Sequence, residues 1–289
     1  PIILVSGPFV SDLFISISSL IFLYFFVDFK SEFQIIRKVI IFFLFFWILF
    51  VINSLLSNNI IISLKSSLFT FRFFLFSFFF FYIFSKNFSK IEKFNNILKF
   101  LILFLCIDAL FQYLVGFNLF GQAKQPRLSG IFGTEWILGN FLSKLYALMI
   151  TLSFLNYNKN FYGKKNIIFN LVLLSLVYVT VILTFERAAF VFLNLYIFLT
   201  LLLVKKFRKL FTFGIIIFLL VNVFFFKNLD HYKNRYINNF LSLINFQNGK
   251  FLLIKDYSDM FRTSFEIFKN NKITGVGNKN FINECQKYL

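Results

Sequence analysis

The chain has 289 residues, of which 59% are hydrophobic and 15% charged, and its mean hydropathy is +0.78. This hydropathy exceeds that of water-soluble globular domains, so the composition excludes a soluble enzyme and predicts a helical membrane protein. The net charge of +18 comes from lysines and arginines spread over many short loops, which argues against nucleic-acid binding. Two cysteines and one histidine provide no set of residues with metal-ligand spacing.

Apolar runs follow one another along most of the chain, each close to the roughly 20 residues that cross a bilayer as a helix. We predict eight membrane-spanning segments, at residues 10–27, 39–56, 67–84, 97–115, 135–154, 166–183, 188–204 and 210–226. The fold class is therefore expected to be all-α, a polytopic integral membrane bundle over residues 1–226. Residues 227–289 are expected to form a large, partly helical and incomplete loop. We also expect the chain to be a fragment lacking both ends.

Basic residues alternate between the predicted loops, and this alternation predicts the orientation of the chain. Four loops hold most of them: Lys30, Arg37 and Lys38; Lys86, Lys90, Lys93 and Lys99; Lys159, Lys164 and Lys165; Lys205, Lys206, Arg208 and Lys209. Loops rich in lysine and arginine stay in the cytoplasm. The stretch 127–140, the turn at Glu186 and Arg187 and the C-terminal loop are therefore predicted to face outward.

The C-terminal loop contains a predicted amphipathic helix at about residues 258–270. Its apolar face is formed by Met260, Phe261, Phe265 and Phe268, with Ser258 as the predicted N-cap. Gly275 and Gly277 then predict a turn. Without a preceding strand, this glycine pair does not indicate a nucleotide site.

Ionisable residues within predicted spans are costly and usually functional. They are Arg72, Asp108 with Gln112 one helical turn later, Lys144, and the pair Glu186 and Arg187. All lie in the outer half of the predicted bundle, and together they predict an outward cavity. Simpler explanations stay open: Arg72 reaching the headgroups, Asp108 neutralising Arg72 or Lys144, and an ordinary polar turn at Glu186.

The stretch 127–140 is the most unusual part of the chain. It combines Arg127, the glycines Gly130, Gly133 and Gly139, and the carboxylate Glu135. Arginine suits phosphate and pyrophosphate through its planar fork of donors, and glycines permit close approach of a ligand or helix. Glu135 is expected at a helix N-terminus, where it would stabilise the helix dipole or serve as a base.

Four motifs in order resemble the family of O-antigen ligases and O-antigen polymerases. They are Asp108-x-x-x-Gln112-x-x-x-Gly116-x-Asn118-x-x-Gly121; Arg127-Leu128-Ser129-Gly130-x-Phe132-Gly133-x-Glu135-x-Ile137-Leu138-Gly139; Thr184-Phe185-Glu186-Arg187-Ala188-Ala189; and Asn271-x-x-x-Gly275-Val276-Gly277-x-x-x-Phe281-x-x-x-Cys285. Each motif is moderately specific, and the resemblance extends over nearly the whole chain.

The resemblance implies a metal-independent membrane glycosyltransferase of the bacterial inner membrane, without a cofactor. The donor would be a glycan on undecaprenyl pyrophosphate at the periplasmic face, and the acceptor a growing glycan or the lipid A core. Arg127 and Arg187 would bind the pyrophosphate, with Arg72 and Arg235 as further contacts. Asp108, Gln112, Gly130, Gly133 and Lys144 would support the site. The family's histidine would lie beyond Leu289, so Glu135 and Glu186 are the candidate bases within the chain; His231 lies too early to match.

Two other functions stay open. The first is a transporter of lipid-linked glycans, which should show inverted repeats and broken helices near the bilayer midplane. The sequence shows no self-similar halves, and its polar residues crowd one predicted side. The second is a non-catalytic assembly factor of the cell envelope, which would tolerate loss of the arginines.

Overall fold

The structure is a computed structural model. It describes residues 2–25, 30–86, 88–155, 164–203, 245–247, 250–252, 255–272 and 275–287, together with the isolated residues 208, 212, 216, 220, 223 and 227. The predicted eighth segment, 210–226, lies almost entirely outside the described residues, and so do His231 and Arg235.

The described residues are mainly helical. The helices are α1 (Pro8–Phe25), α2 (Lys30–Leu55), α3 (Ile60–Phe69), α4 (Phe71–Lys86), α5 (Phe88–Val115), α6 (Leu138–Leu155), α7 (Lys164–Leu183), α8 (Arg187–Leu203), α9 (Lys255–Asn270) and α10 (Phe281–Cys285). Two short 3-10 helices occupy Ile2–Val5 and Gly130–Phe132. One small antiparallel hairpin, β1 (Asn245–Gln247) with β2 (Lys250–Leu252), departs from the predicted all-α fold.

Four stretches of described helix are long and apolar enough to cross a membrane. They are Pro8–Phe25, Arg37–Leu55, Ile60–Lys86 and Ser89–Val115. Two further apolar helices, Ile168–Leu183 and Arg187–Leu203, are shorter. A multi-helix fold compatible with several membrane crossings is therefore present, while the number of eight stays a prediction.

The third predicted segment differs from its expected form. It begins at Ile60 rather than residue 67, and Thr70 interrupts it between α3 and α4. The Thr70 hydroxyl donates to the Ser67 carbonyl over 2.6 Å. Such a side-chain donor competes with backbone N–H groups for the same carbonyl. Arg72 thus lies in the first turn of α4.

The chain divides into two compact units, and each has its own core. Unit 1 comprises Pro1–Val5 and Asn87–Leu241, and unit 2 comprises Ser6–Lys86 and Ser242–Leu289. The predicted division at residue 226 stays a prediction. In unit 1, α6 packs against α5, α7 and α8. Its fully buried Leu142, Tyr146 and Met149 form the centre of that core.

In unit 2, α1 packs against α4, and α2 packs against α3. Buried Phe22 of α1 contacts Leu75, Phe78, Phe79 and Tyr82. Many other phenylalanines of this unit, such as Phe42 and Phe45 of α2, remain exposed. Extended exposed apolar surface of this kind fits contact with lipid rather than water.

The C-terminal part of unit 2 docks on the turn between α2 and α3. Asn278 donates to the Ser67 hydroxyl over 2.8 Å, and Asn58 donates to Glu284 over 2.7 Å. Gly277 has a φ of +84° and lies so close to Ser57 that a side chain there would clash. The glycine turn therefore has a structural role, as its sequence indicates.

Candidate functional site

The loop between α5 and α6 carries most of the predicted site residues and is folded around Asn118. The Asn118 carboxamide oxygen accepts the N–H groups of Phe120 and Gln122 at 3.1 and 2.8 Å. The Lys124 N–H donates to the Gly116 carbonyl over 2.7 Å and closes the loop. An asparagine that bonds the backbone two residues ahead is a common way to stabilise a turn.

Asp108 and Gln112 attach this loop to the end of α5. Both are fully buried. Asp108 accepts the Leu119 N–H at 2.9 Å, and Gln112 accepts the Gly130 N–H at 2.8 Å. Asn118 donates to the Gly130 carbonyl over 2.9 Å. These contacts attach the loop to α5, and the predicted role of Asp108 and Gln112 in supporting a substrate site stays a prediction.

Gly130 and Gly133 fit this loop because both have positive φ angles, +55° and +62°. A Cβ on Gly130 would also lie 3.2 Å from the second oxygen of Asp108, and one on Gly133 would lie 3.2 Å from Gln122. In the structure the neighbours of these two glycines are therefore protein groups.

The start of α6 is held by Glu186, which lies in the turn between α7 and α8. Its two carboxylate oxygens accept the N–H groups of Gly139 and Asn140 at 2.7 and 3.0 Å. A carboxylate at this place satisfies unpaired amide donors and the positive end of the helix dipole. Sequence reasoning had assigned that position to Glu135. That assignment is wrong in detail, because α6 begins at Leu138 and Glu135 is an exposed residue before it.

Gly139 permits this contact because its Cα approaches Thr184 and Glu186 closely. A Cβ at residue 139 would overlap the Thr184 hydroxyl and lie 3.1 Å from the Glu186 carboxylate. The backbone of Phe185, with a φ of +56°, shapes the turn that presents both groups. Gly139 thus allows the start of α6 to pack closely against the turn between α7 and α8 within unit 1.

Positive charges surround the Glu186 carboxylate, which is only 8% exposed. Burial raises the pKa of Glu186 above its ordinary value, and the Gly139 and Asn140 N–H groups oppose that shift, followed by the charges of Arg127 and Lys144. Arg127 and Lys144 therefore lie within electrostatic reach of one carboxylate. Lys144 itself is exposed on α6.

Arg127 and Arg187 are not neutralised by direct ion pairs. Within the described part of the chain, neither has a carboxylate oxygen within 4 Å of its guanidinium. Arg127 lies over the ring of Trp136, 4.7 Å from its centroid. The Nε of Arg187 is buried and has no hydrogen-bond partner among the described residues. Both arginines are half-buried, and the Nε of Arg72 is buried without a described partner in the same way.

Arg72 belongs to unit 2 and has a different environment. One terminal nitrogen of Arg72 contacts both oxygens of Asp12 at 2.6 and 2.7 Å, and the other donates to Ser16 over 3.1 Å. Sequence reasoning had named Asp108 as a possible partner of Arg72; the partner in the structure is Asp12. The pair lines a cavity of about 770 Å³ that also contains Lys65 and Lys279.

Three residues shape these sites without having been predicted as site residues: Asp12, which is not named in the sequence analysis, and Asn118 and Thr184, which are named there only as motif positions. Asn118 lies between Gly116 and Gly121, and the composition of this short segment indicates a turn. Asp12 is an isolated carboxylate in the first predicted span, and pairing such charges across spans would have suggested Arg72 as its partner. The only signal for Thr184 is its place in the third motif, two residues before Glu186.

No protein-family model, curated protein or solved structure matches this chain.

Proposed function

We propose that the chain is part of a membrane glycosyltransferase of the O-antigen polymerase or ligase type. It would act at the periplasmic face of the bacterial inner membrane, without a metal or cofactor. The donor is a glycan on undecaprenyl pyrophosphate, and the acceptor is a hydroxyl of a growing glycan or of the lipid A core. Membrane lipids surround the enzyme, and nucleic acid has no part in its function.

One observation carries this proposal: the two arginine motifs of unit 1, far apart in sequence, meet at Glu186. Glu186 binds the amide groups at the start of α6, in the motif that contains Arg127, and Arg187 follows it directly. Both loops were assigned to the same face from the distribution of basic residues. Their contact agrees with that assignment and concentrates cationic groups at one end of unit 1.

The chemistry requires stabilisation of a departing diphosphate. The acceptor oxygen forms a bond to the anomeric carbon while the bond from that carbon to the pyrophosphate oxygen breaks, with inversion. Arg127 and Arg187 neutralise the charge that develops on the leaving group, usually the largest electrostatic term in such a site. Guanidinium groups without a protein carboxylate partner are suited to this role.

The acceptor hydroxyl must also lose a proton to a base. Glu186 is poorly suited, because each of its oxygens already accepts a backbone N–H. Glu135 is exposed and lies in the same loop as Arg127, so it is the better candidate within this chain. Arg72 has a supporting role only, because Asp12 neutralises it. Arg235 stays a predicted contact.

A transporter of lipid-linked glycans is the alternative, and the interruption of an apolar helix at Thr70 favours it. Transporters use broken helices to form binding sites within the bilayer. The two functions differ in a detergent solution, where no second compartment exists. Conversion of a lipid-linked glycan by the purified full-length protein there would identify an enzyme; absence of any conversion with both acceptors would favour transport.

The test is transfer of glycan by the full-length protein with Arg127→Ala or Arg187→Ala. We expect each variant to lose about 100-fold or more in turnover, the usual cost of removing one charge-stabilising donor. Arg262→Ala is the matched control, since Arg262 is an exposed arginine of α9 with a single partner, Glu266. Arg127→Lys and Arg187→Lys retain the positive charge. Comparison with the alanine variants therefore distinguishes loss of charge from misfolding. Undiminished transfer in both alanine variants would overturn the proposal.

A further inference from the structure

Helix α9 exposes a row of aromatic rings that the proposed chemistry does not use. Phe261, Phe265 and Phe268 are each 57% exposed, and their spacing places them on one face of the helix. The Phe265 and Phe268 rings stack with centroids 6.4 Å apart. On another face, Ile267 is only 4% exposed, and α9 packs against α10. We call the three phenylalanines the aromatic stripe.

Charged residues border the aromatic stripe. The Nζ of Lys269 lies 4.7 Å from the Phe265 ring centroid, and Arg262 pairs with Glu266 over 3.4 Å. A helix with aromatic rings on one face and charged groups beside them is typical of helices that lie in a membrane interface. The long stems of lysine and arginine allow their charges to reach lipid phosphates from such a position.

The location of α9 within unit 2 places the stripe near a bilayer surface. The segment that follows it docks on the turn between α2 and α3, through Asn278 to Ser67 and through Asn58 to Glu284. That turn joins two of the apolar helices long enough to cross a membrane. A helix held beside the ends of such helices lies at the depth of the lipid headgroups.

We propose that the aromatic stripe lies in the lipid headgroup region and anchors the C-terminal part of unit 2 to the bilayer surface. The occupant of this face is lipid rather than protein, because membrane-crossing helices keep lipid adjacent to it permanently. Each ring removes apolar surface from water when it enters the headgroup region, and the three rings on one face act together. This inference does not depend on the proposed enzymatic activity.

The experiment is a spin-label scan of the full-length protein in vesicles of phosphatidylethanolamine and phosphatidylglycerol. Single cysteines replace residues 261, 265 and 268 on the stripe and residues 262, 266 and 269 beside it, with Cys106 and Cys285 changed to serine. We expect labels on the stripe to be several-fold more accessible to oxygen than to a nickel chelate. The labels beside it should show the opposite preference.

Two outcomes would overturn the proposal. Equal access of the nickel chelate to all six positions would place the stripe in water, and poor access of both reagents to the stripe would show that protein covers it. If a label disturbs folding, Phe265→Trp in a background with Trp47 and Trp136 changed to phenylalanine tests the same position. Strong quenching of that tryptophan by brominated lipid supports the proposal, and no quenching contradicts it.

Discussion

Arginine and carboxylate occur together in both units, but the two units combine them differently. In unit 2, Arg72 binds both oxygens of Asp12 directly. In unit 1, the carboxylate of Glu186 is taken by backbone N–H groups, and Arg127 acts on it only from a greater distance. The charge of Arg72 is therefore neutralised locally, whereas the charges of Arg127 and Arg187 are not.

This difference separates an arginine with a direct carboxylate partner from the two arginines that we propose bind a ligand. Asp12 and Ser16 engage both terminal nitrogens of Arg72, so a phosphate at this guanidinium must compete with the Asp12 carboxylate. Backbone N–H groups occupy the Glu186 carboxylate, and among the described residues neither Arg127 nor Arg187 forms an ion pair. A charged residue near a membrane is therefore not enough to indicate a functional site. The partner of that charge determines whether it remains available to a ligand.

The largest effect on stability and activity is expected from loss of the contact between Glu186 and α6, the contact that distinguishes unit 1 from unit 2. Gly139→Ala introduces a methyl group that overlaps the Thr184 hydroxyl. We expect it to destabilise the protein by about 1–3 kcal/mol, the usual cost of overpacking, and to reduce transfer by displacing Arg187. The measurement is the midpoint of thermal unfolding in detergent.

Thr184→Ala supplies the control because it removes the atom with which the new methyl group collides. The double variant Gly139→Ala/Thr184→Ala should be more stable than the sum of the two single effects predicts. Strict additivity would mean that the two residues do not meet as the structure describes.

A smaller effect is expected from breaking the pair in unit 2. Arg72→Ala and Asp12→Ala should each cost about 1 kcal/mol or less, because both side chains are partly exposed. The double variant should be no less stable than either single variant, since no charge remains unpaired. Transfer should fall much less than in Arg187→Ala. If Arg72→Ala alone abolished transfer, Arg72 would belong with the ligand-binding arginines and the comparison would fail.

The smallest effect concerns pH. Burial raises the pKa of Glu186 in the folded state, so the folded protein binds a proton more readily than the unfolded chain does. Stability from this group is present below the ordinary glutamate pKa and is lost as pH rises through the raised value. We expect Glu186→Gln to remove that part of the decline. The measurement is the unfolding midpoint of the unmodified protein and of Glu186→Gln across this pH range. Parallel curves for the two proteins would contradict a raised pKa of Glu186.

The sequence determined the features that depend on composition and local pattern. Apolar runs specify helices because a backbone in lipid must satisfy its own hydrogen bonds. Each of the first seven predicted segments overlaps in sequence with helix in the structure. The apolar face of α9 and the turn at Gly277 also follow from local residue spacing. The sequence also predicts the arginine motifs and Glu186 as site residues, a role that stays a prediction, but it does not predict their contacts.

Only the tertiary structure decided which groups meet. Glu186 rather than Glu135 occupies the start of α6, and Asp12 rather than Asp108 pairs with Arg72. These choices depend on how helices that are distant in sequence pack against one another. Local residue patterns specify helices, but the partner of a buried charge is specified by the packing of helices against one another.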